Sequence, residues 1–167
     1  MRKLTLILSL LVISAVSFAG SLKSEIEAMN AKVTACLKKM DIAGFEKIVK
    51  AGVTSDFKHV ENGKAMNFSQ MVTQMREGMK SMSKITKIGT KLKSLKESGN
   101  TATATTWHMM EGVMIGPDKK SHTMGFSGTS TDVFRKVGGK WKMASMTWTD
   151  QKMTMDGKPF DPSQMGG

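Results

Sequence analysis

The chain has 167 residues, 40% of them hydrophobic, with a formal charge of +11, seventeen methionines, three histidines, one cysteine and no tyrosine. The length bounds it to one ordinary domain with a core of its own. A single cysteine excludes an intramolecular disulfide, and a basic balance favours anionic partners or plain solubility without specifying a fold.

The chain opens like a targeting signal. Arg2 and Lys3 precede an apolar run from Leu4 to Val16, and Ser17-Phe18-Ala19 sets small residues where signal peptidase cuts. The run is short for a membrane span and has no stop-transfer flank. Residues 1–19 are therefore expected to be a signal peptide and 20–157 a single domain, with a flexible tail over 158–167. The expected location is periplasmic or secreted, with no membrane span after cleavage.

Leu22, Ile26, Met29, Val33, Cys36, Leu37 and Met40 recur at helical spacing, with Ser21 or Ser24 able to cap the start. Cys36 on that stripe reads as a small buried hydrophobe. Asp41 opens a second, short helix carrying Ile42, Phe45, Ile48 and Val49, which Gly52 closes. Residues 53–67 read as a loop holding a small extended element around the Asn62-Gly63 turn signal. Asn67 and Gln70 form a capping box for a third helix, whose stripe is Met71, Met75, Met79 and Met82.

After Ser83 the period changes to two. Ile88 to Ser94 reads as a half-exposed strand, followed by strands over 101–115, 121–136 and 141–155, with turn compositions between them. Three helices followed by an antiparallel meander predict an α+β domain whose sheet curls around its helices.

This order resembles the SnoaL-like branch of the nuclear transport factor two-like superfamily. The residues that carry the resemblance are Phe45, Thr54-Ser55-Asp56-Phe57, Asn62-Gly63-Lys64, and the hairpin from Asp132 to Met143 with its Gly-Lys-Trp-Lys strand. The resemblance implies a cone: three N-terminal helices on a curved, mainly antiparallel sheet, a pocket between them, and often a homodimer. It implies no particular chemistry.

The chemistry-bearing residues are sparse. A ketosteroid-isomerase type of site pairs a carboxylate with a tyrosine donor, and this chain has no tyrosine. Asp56 and His59, three apart on an extended chain, point to opposite faces. No metal site is expected, because the histidines lack ligand spacing, and no cofactor is expected either. The methionines read as flexible core filler rather than a thioether copper site. The basic segment Lys80, Lys84, Lys87, Lys91, Lys93 and Lys96 has no interleaved aromatics, so nucleic acid is not an expected partner; a solvated strand edge fits better. On the last strand Trp141 and Met143 share one parity and Met146 and Trp148 the other, so both faces there should be covered.

The expectation is a domain that holds a small, largely apolar molecule. Trp107, Met109, Glu111 and Trp148 are expected on the wall, with Asp56, Phe57 and His59 near the mouth. Two alternatives stand beside it: a cofactor-free lyase or isomerase using a pocket Asp or Glu with a His, and a dimeric interaction domain working through its sheet.

Overall fold

The computed structural model describes residues 21–116 and 118–161. The expected signal peptide and the last residues of the expected tail lie outside that range.

Helix α1 spans Leu22–Lys38, with the Ser21 hydroxyl accepting from the Ser24 N–H. Helix α2 spans Ile42–Gly52, and its cap, Asp41, accepts from the Gly44 N–H at 2.8 Å. A Cβ on Gly44 would run into the Asp41 carboxyl, so that cap works only with glycine at this position. Helix α3 spans Phe68–Met79 and starts with the full Asn67–Gln70 capping box, both reciprocal bonds at 2.9 Å.

The strands are β1 Val53–Glu61, β2 Lys64–Met66, β3 Met82–Ser98, β4 Thr101–Ile115, β5 Ser121–Val137, β6 Lys140–Met155 and β7 Lys158–Pro159. They form one sheet in the order β2-β1-β6-β5-β4-β3, with β7 also on β6. Among the described residues only the β1–β6 pair is parallel. Register shifts interrupt the β3–β4, β5–β6 and β1–β6 pairings. An extra residue on one strand bends it and increases its twist, which is how strands of up to 17 residues curl instead of lying flat. The concave side buries Phe45 and Val49 from α2, Ile26, Val33 and Leu37 from α1, and Met71, Met75 and Met79 from α3. Ten of the methionines are buried in this core, as filler packing requires.

Three expectations change. Residues 53–57, expected as loop, form the first half of β1, because Val53 pairs in parallel with Met143 and the helices cover that edge. Lys158 and Pro159, expected in the tail, pair with β6, and Phe160 packs against the core. The last strand does not expose apolar groups on both faces. The β5–β6 register shifts between Val133 and Phe134, and that bulge flips the parity after Met143. Trp141, Met143, Met146 and Trp148 consequently all point inward and are all buried.

Lys84, Lys87, Lys91, Lys93 and Lys96 of the lysine-rich segment lie on β3, the last strand in the sheet order, with their side chains exposed, and Lys80 caps the end of α3. Cationic side chains there discourage pairing with another chain. Among the described residues no helix is long and apolar enough to cross a membrane, and no group of three His, Cys, Asp or Glu is placed to hold a metal ion.

Candidate functional site

The helix-facing side of the sheet is apolar at both ends and polar across its middle. Cross-strand register builds this belt. His59 on β1 pairs with Met146, which pairs with Asp132, which pairs with Ala104. In the next row Trp148 pairs with Ser130 and Ser130 with Thr106, and beyond it Gly128 pairs with His108. The strict two-residue alternation of β4 and β5 sends Thr106, His108, Ser130 and Asp132 inward, where all are buried.

Two small networks form within the belt. Thr106 Oγ1 donates to Asp132 Oδ2 at 3.1 Å, and His108 Nε2 sits 2.9 Å from Ser130 Oγ. Burial pushes the Asp132 carboxyl up to about 7, against the smaller opposing pull of the Ser130 and Thr106 hydroxyls. Burial also takes the His108 imidazole down to about 3, which keeps it neutral. Across the cone, His59 Nε2 lies 3.7 Å from Glu61 Oε2, and Gln151 Nε2 donates to Glu61 Oε1.

The polar atoms are not all paired. Asn30 Oδ1, both His59 ring nitrogens, His108 Nδ1, Asp132 Oδ1 and Trp148 Nε1 are buried without a hydrogen-bond partner in the protein. The Trp148 indole is set by its neighbours: its ring centroid lies 4.8 Å from that of His108 and 5.3 Å, edge-on, from Phe126. It reaches His108 across Gly128, where a Cβ would stand 3.1 Å from Trp148 Cζ3.

The way in runs between α1 and β3. An open groove of about 510 Å³ is lined by Glu27, Asn30, Ala31 and Thr34 from one face of α1 and by Thr90, Lys91 and Leu92 from β3. A smaller, more enclosed space of about 10 Å³ shares Thr34 and Thr90 with that groove and reaches His108, Met110 and Phe126. That inner volume is about one water's worth.

The expected site residues separate accordingly. Trp148 and His59 face the interior. Trp107, Met109 and Glu111 have the opposite parity to His108 and are half-buried; Met109 also borders the smaller inner space, and Glu111 lies 2.9 Å from Lys87. Phe57 is sealed in the core at 3% exposure. Asp56 points outward into a pair with Arg135, whose hydrogen bond holds its carboxyl down at about 2. As expected, Asp56 and His59 face opposite ways. Neither Asp132 nor Ser130 was expected in the site. Their signal was the parity they share with Phe126 and Phe134, which marks the inward side of β5. His108 is 2% exposed.

An α+β cone with helices on the concave side of a bent sheet and a polar belt inside it defines the class. It is the nuclear transport factor 2-like fold. Solved structures that share it include a Kribbella flavida protein, 11% identical with a TM-score of 0.60 over 78% of this chain and 92% of that one. A Prochlorococcus NTF2-like protein of unknown function is 20% identical, TM-score 0.58, over 78% and 93%. A Salmonella enterica NTF2-like superfamily protein is 18% identical, TM-score 0.55, over 76% and 89%. No family model matches the chain, and no curated protein matches it in sequence.

Proposed function

We propose that the chain is an exported domain that binds a small, largely apolar molecule inside its cone, entering between α1 and β3. One observation carries this reading: Asn30, His59, His108, Asp132 and Trp148 all hold buried polar atoms without protein partners, on the cone's inner lining. Native cores pair nearly all such atoms, because an unpaired one costs about 1–3 kcal/mol. A belt of them beside an open groove is what a binding site needs: apolar walls for affinity and a few polar groups for orientation. The small inner volume fits the same reading, since Met110 on its lining has a flexible thioether chain that can turn aside.

Native mass spectrometry of protein purified from the exported fraction tests it. An added mass that disappears on denaturation is the expected result. A clean apo mass from every preparation, with no shift on exposure to small aromatic or aliphatic probes, would overturn it. Export itself rests on the N-terminal pattern of Arg2, Lys3, the apolar run and Ala19, and N-terminal sequencing of the exported form should start at Gly20.

A homodimer through the outer sheet face is a compatible second reading, favoured by the half-buried Trp107, Met109 and Val113 that share that face. The same native spectrum reports it.

A further inference from the structure

The free edge of β3 has the makings of a second, separate site. Among the described residues β3 is paired only with β4, so half of its backbone N–H and C=O groups point away from the sheet. Register shifts interrupt β3 on either side of Lys87–Leu92, and within those six residues the pairing with β4 is unbroken. The open groove borders this stretch. Thr90 and Leu92 share the inward parity of their partners His108 and Thr106, while Lys91, opposite Trp107, has the other. A groove lined by both parities runs along the strand's edge and not over one face.

Gly89 lies in the middle of the stretch. Its φ is not positive, and a Cβ there would meet only the Met109 side chain, at 3.8 Å, an ordinary contact. Neither backbone conformation nor packing asks for glycine at that position, and what it leaves is room for another backbone to come close. Two residues away on either side, with the same parity, stand Lys87 and Lys91. Lys87 is paired with Glu111, whereas Lys91 is in no ion pair among the described residues. Across the groove, α1 presents Ala31, Thr34 and Asn30, whose Oδ1 is buried without a hydrogen-bond partner in the protein.

We infer that this edge takes an extended peptide segment of another protein, added to the sheet as a strand beside β3, with acidic side chains alternating with small or apolar ones. Its backbone pairs with the free N–H and C=O groups of β3. Its acidic side chains fall on the side of Lys87 and Lys91, next to the gap at Gly89. The alternate side chains face the groove, where one of them donates to Asn30 Oδ1. Repulsion between lysines keeps a second copy of β3 away, and the same charge selects an acidic strand. A lipid surface would read the lysines alone and leave Gly89 and Asn30 without a role. The inference does not depend on a small molecule inside the cone.

The test is an NMR titration with amide hydrogen exchange, using a capped heptapeptide. The peptide has glutamate at its odd positions, valine at the second and sixth, and serine at the fourth. It should bind saturably and slow the exchange of alternate amides between Lys87 and Leu92. Of two versions N-methylated at alternate residues, one phase should lose binding by at least about tenfold and the other keep it, because only one set of N–H groups faces β3. Lys91→Glu, at an exposed position, should weaken the glutamate peptide about tenfold and strengthen its lysine counterpart. Equal binding of both N-methylated versions would mean attraction by charge alone and would overturn strand addition. Binding to vesicles of equimolar phosphatidylcholine and phosphatidylglycerol with none to the peptide would overturn it in favour of a lipid surface. Concentration-dependent protection of the same amides without peptide would put a second copy on the edge instead. No saturable binding of the heptapeptide sinks the inference outright. The native spectrum decides the small-molecule reading separately, so the two can fail independently.

Discussion

Asp132 should make this protein less stable as the solution becomes less acidic, over a range where most carboxylates have finished titrating. Its carboxyl is fully enclosed, and burial moves its pKa from the ordinary 3.8 to about 7. Below pH 3.8 it is protonated both folded and unfolded, and its contribution is fully present. Between 3.8 and 7 the unfolded chain releases the proton while the folded chain keeps it, so stability falls as pH rises. At about 1.4 kcal/mol for each tenfold in proton affinity, the loss reaches about 4 kcal/mol by pH 7 and levels off above it. That is a large part of the 5–15 kcal/mol that holds a typical domain together. The perturbation is Asp132→Asn, which keeps the shape and the acceptor for Thr106 but cannot ionise. The assay is urea unfolding of both proteins at steps from pH 4 to pH 8.5. The variant should gain on the natural protein by about 4 kcal/mol across that range, with nearly all of the change between pH 4 and 7. His108, held neutral by burial, acts in the opposite sense, losing stability as pH falls from 6.5 toward 3, but it is present in both proteins and largely cancels. A stability difference that stays level with pH would show that Asp132 is ionised in the fold. The picture of a neutral, water-poor belt would then be wrong.

Further substitutions probe other parts of the architecture. Gly128→Ala places a methyl group 3.1–3.2 Å from the Trp148 ring, so it should destabilise by about 1–3 kcal/mol and move the Trp148 fluorescence, while an unchanged spectrum would mean the indole does not lie across β5. Met143→Ala at a fully buried position should cost about 2–5 kcal/mol in chemical unfolding, and a loss under 1 kcal/mol would place Met143 outside the core. Asn67→Ala removes one half of the α3 capping box and should cost about 1 kcal/mol, whereas Asn67→Asp should be nearly neutral. His122 sits between Asp156 and Asp118, at 2.8 and 3.1 Å, and those hydrogen bonds raise its pKa. Its stabilising contribution should thus be complete below pH 6.5 and fade as pH rises through the raised value. An NMR titration should place the His122 midpoint above 6.5 and lower it in Asp156→Asn.

How much of this was legible in the sequence depends on which force set each feature. The helices were legible because their apolar stripes and caps are local: Asp41 with Gly44, and Asn67 with Gln70, specify their ends within four residues. The first half of β1 was not, because Thr54, Ser55 and Asp56 interrupt its apolar pattern and its partner, Met143, lies ninety residues away. Parity within the strands failed for two distinct reasons. On β6 the Val133/Phe134 register shift has no sequence mark, so period-two counting assigned Trp141 and Trp148 to opposite faces when both are inside. On β4 the larger groups mislead. Trp107, Met109 and Glu111 look like a pocket wall, but the inward set is Ala102, Ala104, Thr106, His108 and Met110, whose small members let the sheet close on its helices. Reading β5 first would have corrected this. Phe126 and Phe134 set the inward parity there, and Ser130 and Asp132 share it, so two polar residues are directed into the core by their aromatic neighbours. A buried aspartate kept at the expense of about 4 kcal/mol at neutral pH is difficult to explain by packing, for which a leucine or methionine would serve better. Position 132 is therefore where the proposed binding reading is best tested: Asp132→Leu should stabilise a cone that is only packed, and should cost ligand binding in a cone that recognises polar atoms.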